Sequence, residues 1–173
     1  MAEGQAVPIA PSMPEGTAMI RGYASRFGEA DRRGDIVAKG AFRRSLRELK
    51  ASGRRVALLW QHDMGRPIGV WDRVEEDAIG LRVEGRLLPD VTLGREALAL
   101  VRAGALDGLS IGYRVRQAVP EPRSGGRRLL DLDLWEVSLV TFPMLPTARA
   151  SLSPGAERPR APMAGALAAA LAR

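Results

Sequence analysis

Three residues in separate parts of the chain carry the side chains that a serine hydrolase uses: Ser110, His62 and Glu136. A serine hydroxyl attacks a carbonyl group only when an adjacent base takes its proton, and imidazole does this well near neutral pH. A carboxylate behind the imidazole would orient the ring and stabilise its charged form. Because the chain has one histidine and no cysteine, His62 is the only candidate histidine base and a cysteine nucleophile is excluded.

Ser110 lies in the segment GLSIG, in which apolar residues alternate with small ones. On a strand, the glycines Gly108 and Gly112 would flank Ser110 on one face, while the other face is apolar. Glycine weakens a strand, and it often marks the close approach of another backbone or of a ligand. Such a serine could attack an extended peptide; the alternative is a solvent-facing serine in a bulged strand. The alternation continues to Val115, which argues against the strand–turn–helix nucleophile elbow of the α/β-hydrolases.

The other two candidates lie at or within predicted strands. His62 follows the apolar run VALLWQ, so we expect it where a short buried strand ends, although a lone histidine is more often structural. Glu136 lies in the apolar segment DLDLWEVSLVTFP, where a carboxylate is costly without a partner. We therefore favour Glu136 as the third residue over Asp63, the sequence neighbour of His62, and note that Glu136 could instead pair with an arginine. Ser138, two residues beyond Glu136, could support it through a hydrogen bond.

The composition excludes several classes of site. One histidine and no cysteine rule out histidine-cluster and cysteine-based metal sites, and no calcium loop of the D-x-D-x-D-G type is present. We therefore predict no cofactor. There is no apolar run of about 18 residues and no secretory signal, so we expect no membrane association and a protein that stays in the cell that makes it. The net charge is +6, but the arginines are scattered and aromatic residues make up only 5% of the chain, which argues against nucleic-acid binding.

The elements that would position these residues are mainly strands with inserted helices, an α+β chain. Hydrophobic periodicity predicts helices over residues 41–52 and 93–103, and strands over residues 17–25, 56–61, 68–74, 80–88, 109–117 and 129–142. Residues 1–16 and 151–173 are rich in proline, alanine and glycine, so we predict a flexible N-terminal arm and a flexible C-terminal tail. Residues 17–150 would form one β-barrel domain.

Several blocks of the sequence, taken together, carry a family resemblance. The segments LLWQHDMGRPIGVW, LDGLSIGYRV and LDLWEVSLVTFPMLPTARA, in that order, resemble the prohead serine proteases of HK97-like tailed phages, as does GYASRFGEADRRGDIVAKGAFRRSL. The likeness covers about residues 17–150. It implies a barrel like that of herpesvirus assemblin, surrounded by helices, with His62 and Ser110 as the catalytic pair and Glu136 in the remaining role. The family more often has A-N-P-x-A after TFP, where this chain has MLPTA; the difference lies past the proposed site, in the downstream loop.

The resemblance also implies a biological role. The family's members cleave the scaffolding segment from the major capsid protein and then often cut themselves. They do so inside the assembling procapsid, in the cytoplasm of the bacterial host. The sequence leaves open whether the chain forms a homo-oligomer, and whether backbone N–H groups or Arg114, through water, stabilise the oxyanion. Two alternatives remain: a catalytically inactive capsid or scaffold component with the same barrel, and a basic nucleic-acid-binding barrel.

Overall fold

The computed structural model describes residues 17–153, so the predicted arm and most of the predicted tail lie outside the described residues. Strands dominate this part of the chain, as the periodicity predicts, and both predicted helices are present. The elements run in the order β1 (Ala18–Arg26), β2 (Ile36–Val37), α1 (Arg43–Ala51), β3 (Ala57–Trp60), β4 (Asp63–Glu76), β5 (Gly80–Leu87), α2 (Thr92–Arg102), β6 (Gly108–Glu121), β7 (Gly126–Val140) and β8 (Ala150–Leu152).

β7 is the strand on which the arrangement depends, because it pairs with three others. β6 runs antiparallel to it along almost its whole length. β2 and β3 run parallel to it, β2 near its beginning and β3 near its end. A parallel partner must be reached by a crossover connection, since no short turn can join parallel strands. The parallel β3–β7 pair therefore brings together segments that lie far apart in the sequence.

The rest of the sheet is antiparallel and follows the order β3-β4-β5-β1-β8. Within the described residues the path does not close into a complete barrel. The gap between β6 and the segment that leads into β8 is bridged at one point, where Gly108 pairs with Arg149 and the Leu109 N–H donates to the Ala148 carbonyl at 2.9 Å. The expected mainly β fold with helices is thus confirmed, with a sheet that does not close within the described residues.

The core forms where the apolar faces of the long strands meet the helices. Its largest fully buried side chains are Phe42, Ile20, Leu58, Ile68, Leu81, Leu87, Leu109, Leu129, Leu132, Leu134 and Leu139. Full burial of one such side chain contributes about 1.5–3 kcal/mol, so this cluster supplies the main driving force for folding. The buried Trp71 indole N–H donates to the Val137 carbonyl at 3.1 Å, which attaches β4 to the last part of β7.

Helix α1 is attached to the sheet by polar contacts. The Leu134 N–H donates to the buried Ser45 hydroxyl at 2.9 Å. The Arg116 guanidinium donates to Glu48 at 2.7 Å and to Asp133 at 2.9 Å. Hydrogen bonding, chiefly from Arg116, lowers the pKa of Glu48 to about 2. The helix therefore lies against β6 and β7 through bonds that need both strands in place.

The structure differs from the predicted elements mainly where strands are very short or irregular. β2 has 2 residues and β8 has 3, too few for a periodicity to be visible. Ser151 and Leu152, which the sequence assigns to the flexible tail, pair with β1 as part of β8. β4 begins five residues before the predicted strand 68–74, because an irregular segment near its start carries polar residues and hides the alternation.

Candidate active site

A cavity of about 540 Å³ opens beside Ser110, and His62 lies on its wall. Ser110 itself is only 4% exposed, so the cavity is the route by which another molecule would reach its hydroxyl. Much of the wall is apolar, and it is formed by Val37, Leu109, Ile111, Tyr113, Val115, Met144 and Leu145. A pocket of this size and character can hold a medium-sized apolar side chain next to the serine.

The imidazole of His62 is bonded to a buried carboxylate. His62 Nδ1 donates to Glu136 Oε1 at 2.5 Å, and Glu136 is 7% exposed. Because the carboxylate accepts, the proton of a neutral ring lies on Nδ1, and Nε2 is left with a free lone pair. That is the tautomer that a histidine base needs.

Ser138 connects the carboxylate to the backbone of the histidine. Its hydroxyl donates to Glu136 Oε2 at 2.6 Å and accepts a bond from the His62 N–H at 3.2 Å. Ser138 is fully buried, so its bond to Glu136 is shielded from solvent. Both oxygens of Glu136 are therefore engaged, and the hydrogen-bond support that the sequence suggested for Ser138 is present in the structure.

Strand register explains why Ser110 and Glu136 come to the same region. In the β6–β7 ladder Ser110 lies opposite Ser138, and Gly112 lies opposite Glu136. Directly paired residues project from the same face of a sheet. The hydroxyl of Ser110 and the carboxylate of Glu136 are thus on one face, two residues apart along each strand.

Gly112 makes room for the carboxylate rather than for a ligand. A Cβ placed on Gly112 would lie 2.0 Å from Glu136 Oε1, and its three nearest atoms all belong to Glu136. At Gly108 a Cβ would lie 2.4 Å from the Val140 carbonyl oxygen. The glycines that we associated with a bound peptide therefore accommodate neighbouring groups of the protein itself.

The alternative third residue, Asp63, has other partners. Its Oδ1 accepts a bond from the Gly65 N–H at 2.9 Å, and its Oδ2 lies 3.0 Å from Nε of Arg66. Among residues 17–153 there is no hydrogen bond between Asp63 and the imidazole. The structure thus brings His62 and Glu136 together and leaves Asp63 in a surface ion pair.

Arg114, a candidate for oxyanion stabilisation, is paired elsewhere. Its guanidinium donates to Asp133 at 3.3 Å, and Arg114 is not on the cavity wall. The arginines that do line the cavity are Arg33 and Arg127. Arg127 binds Asp35 through its backbone N–H and its guanidinium, at 2.6 to 3.1 Å. On the polar part of the cavity wall, Arg127 and Asp35 therefore neutralise each other's charge.

Two cavity residues have perturbed acidities with clear causes. The hydrogen bond from Arg127 lowers the pKa of Asp35, because it stabilises the ionised carboxylate. Burial raises the pKa of the Tyr113 hydroxyl, since a low-dielectric environment disfavours the phenolate. Near neutral pH the cavity thus presents an ionised Asp35 and a neutral Tyr113.

Comparison with known sequences shows which protein family this chain resembles. The family model described as caudovirus prohead serine protease matches residues 8–158. The prohead protease of Enterobacteria phage HK97 is 34% identical over 127 residues, which are 72% of this chain and 55% of that protein. The prohead protease of Escherichia phage T5 is 30% identical over 129 residues, covering 75% of this chain and 60% of that protein. The chain thus spans little more than half the length of these curated relatives.

Solved structures support the fold. The capsid assembly protease gp21 of bacteriophage T4 superposes with a TM-score of 0.61 at 15% identity, over 79% of this chain and 88% of that one. The KSHV protease, solved with a hexapeptide phosphonate inhibitor, superposes with a TM-score of 0.50 at 10% identity, over 79% of this chain and 65% of that one. The expected likeness to herpesvirus proteases is therefore confirmed at the level of fold. These matches give no support to the nucleic-acid-binding alternative.

Within the described residues, no helix is long and apolar enough to cross a membrane. The same part of the chain holds no group of three or more histidine, cysteine or acidic side chains arranged to bind a metal ion.

Proposed function

The chain belongs to the caudovirus prohead serine protease family, and we propose that it is a serine endopeptidase of capsid maturation. Ser110 is the nucleophile, His62 the general base and Glu136 the carboxylate that orients the imidazole. The observation that carries this assignment is the 2.5 Å bond from His62 Nδ1 to the buried Glu136, on the wall of the cavity that Ser110 also lines. It is the arrangement of base and carboxylate that a serine nucleophile requires.

The proposed reaction proceeds through an acyl-enzyme. His62 Nε2 takes the hydroxyl proton while Ser110 Oγ bonds to the substrate's carbonyl carbon, giving a tetrahedral oxyanion. The imidazolium then gives that proton to the leaving amine as the C–N bond breaks. Water hydrolyses the resulting ester by the same steps, with His62 again as base and then acid. Glu136 keeps the Nδ1 proton hydrogen-bonded through these steps and stabilises the imidazolium.

We propose the scaffolding segment of the major capsid protein, and the enzyme itself, as substrates. The support is the family's description and the names of the relatives, which are prohead and capsid assembly proteases. The site of action would be the assembling procapsid in the bacterial cytoplasm, where enzyme and substrate are enclosed at high local concentration.

Co-production with the major capsid protein that we propose as substrate tests this assignment. We expect intact-mass analysis to show a truncated capsid protein with the wild type and an uncleaved one with Ser110→Ala, because turnover falls by about four orders of magnitude or more when a triad member is removed. Ser52→Ala is a matched control, since its hydroxyl lies on the surface at the end of α1. Normal processing by Ser110→Ala would refute the assignment.

The carboxylate role needs its own comparison. Glu136→Gln keeps the side-chain shape but removes the charge, so we expect a loss of about 10⁴-fold in kcat. Asp63→Asn removes a surface ion pair and should stay within a few-fold of wild type. The opposite outcome, an active Glu136→Gln and an inactive Asp63→Asn, would transfer the third role to Asp63.

A further inference from the structure

His62 is presented by a strained turn. Trp60 pairs with Asp63 across the β3–β4 hairpin, which leaves Gln61 and His62 as a two-residue loop. Both have positive φ, 51° for Gln61 and 62° for His62. A hairpin loop with two left-handed residues strongly prefers Asn-Gly or similar pairs, since a Cβ disfavours this conformation. The chain accepts this strain at two consecutive residues that are not glycine.

The end of β7 holds this turn in place. The Gln61 N–H donates to the Leu139 carbonyl at 3.0 Å. The side-chain amide of Gln61 donates through Nε2 to Thr141 Oγ1 at 2.8 Å, and its Oε1 accepts a bond from the Thr141 N–H at 3.3 Å. The Gln61 side chain therefore bonds both the side chain and the backbone of Thr141.

These bonds are the evident reason for a glutamine at this position. Gln61 is exposed, so it adds nothing to the hydrophobic core, and within residues 17–153 its side chain bonds only Thr141. Glycine would satisfy the left-handed turn better. What the glutamine adds over glycine is the double contact with Thr141. Backbone strain that persists in this way is characteristic of positions that serve a site.

We propose that Gln61 is a positioning residue for the base. Its paired bonds with Thr141 fix the β3–β4 turn on β7, so that the imidazole of His62 keeps Nδ1 on Glu136. This inference rests on the proposed function for its catalytic consequence, but the placement of the imidazole can be measured without catalysis. Ser138 accepts a bond from the His62 backbone N–H, and Thr141 bonds the side chain of the preceding residue, Gln61. Both residues of the turn that carries the imidazole are therefore held by β7 or by the residue that follows it.

The kinetic test uses Gln61→Gly, Thr141→Val and the double variant with a peptide spanning a mapped cleavage site. For Gln61→Gly we expect kcat to fall by about 10- to 100-fold, because small misplacements of a catalytic group have effects of this size. KM should stay within about two-fold, since Gln61 is not on the cavity wall. The melting temperature should stay within about 3 °C of wild type, because glycine relieves the strain while the bonds are lost.

The double variant separates a shared contact from independent effects. If both side chains act through their contact, Gln61→Gly with Thr141→Val should be about as slow as Gln61→Gly alone. Full additivity of the two losses would overturn the proposal, as would a Gln61→Gly variant with a kcat within two-fold of wild type. A loss of kcat that merely follows a large fall in melting temperature would also overturn it.

A spectroscopic test needs no turnover. The chain has one histidine, so a strongly downfield ring N–H resonance can be assigned to His62 without ambiguity. In a Ser110→Ala background we expect this Nδ1 proton to be visible and slowly exchanging, and to broaden or disappear in Ser110→Ala with Gln61→Gly. An identical resonance in both proteins would overturn the positioning role. Wild-type protein that cleaves nothing, together with the expected change in resonance, would instead refute the proposed function and leave the positioning role intact.

Discussion

Replacing Gly112 by alanine tests the geometry of the site through a residue that performs no chemistry. The added Cβ would lie 2.0 Å from Glu136 Oε1, 2.7 Å from its Cδ and 2.8 Å from its Cγ. Since a Cβ essentially never approaches a heavy atom more closely than 3.0 Å, the carboxylate oxygen must move by about 1 Å. The colliding atoms belong to the end of one side chain, so the backbone can stay where it is.

The size of the effect follows from the bonds that this movement breaks. Glu136 Oε1 lies 2.5 Å from His62 Nδ1, and Oε2 lies 2.6 Å from the Ser138 hydroxyl. A shift of about 1 Å takes both beyond good hydrogen-bonding geometry. A misplacement of this size costs about 10²-fold in rate, and loss of the orienting carboxylate costs about 10⁴-fold. We therefore expect kcat/KM to fall by 10² to 10⁴, with a loss in stability of about 1–3 kcal/mol.

The assay is cleavage of a peptide spanning the capsid processing site, with urea unfolding of the same preparations. Glu136→Ala supplies the control, because the three nearest atoms to the added Cβ all belong to Glu136. The double variant, Gly112→Ala with Glu136→Ala, should be no slower than Glu136→Ala alone. A Gly112→Ala enzyme with nearly wild-type kcat/KM, or a double variant that shows both losses in full, would refute this account of Gly112.

Two further substitutions test the surrounding bonds. Ser138→Ala removes the hydroxyl shared by Glu136 and His62, so we expect a loss of about 1–3 kcal/mol in urea unfolding and about 10- to 100-fold in kcat; an unchanged kcat would contradict the role of Ser138. Asp35→Asn weakens the bond with Arg127 that lowers the pKa of Asp35. A lowered folded-state pKa stabilises the protein above the ordinary carboxyl pKa of about 4, and that stabilisation is lost as pH falls through the folded value. The free energy of unfolding, measured in urea, should thus be about 1–3 kcal/mol higher for wild type than for Asp35→Asn near pH 7. A difference of the same size at about pH 2 would exclude this ion pair as its source.

The sequence predicts the elements wherever a period can repeat. The helix expected over residues 93–103 appears as Thr92–Arg102, because its apolar positions recur over three turns. The strand expected over 109–117 is found within Gly108–Glu121. A two-residue strand such as β2 contains no repeat and leaves no such signal. The pairing of β3 with β7 is also invisible, since nothing in either segment alone specifies a parallel partner so far away in the chain.

The site shows the same division between local and non-local information. Glu136 could be favoured over Asp63 because a carboxylate in an apolar strand needs a partner, and that argument uses one segment only. In the sequence, Gly112 indicates only that some group approaches the strand closely. The β6–β7 register reveals that this group is the side chain of Glu136. Gln61 gave no signal at all, because glutamine is not a turn-forming residue. Its role depends on Thr141, eighty residues further along the chain.

The topology of β7 also has a consequence for the order in which this protein gains activity. β7 carries Glu136 and pairs with both β3 and β6, yet among residues 17–153 it is the last long strand to be synthesised. A nascent chain that has released residues up to Glu121 contains His62 and Ser110 without the strand that joins them. Long-range pairings of this kind form late, because the loop-closure entropy must be overcome first. A ribosome-bound chain therefore lacks the assembled site that we propose until β7 is in place.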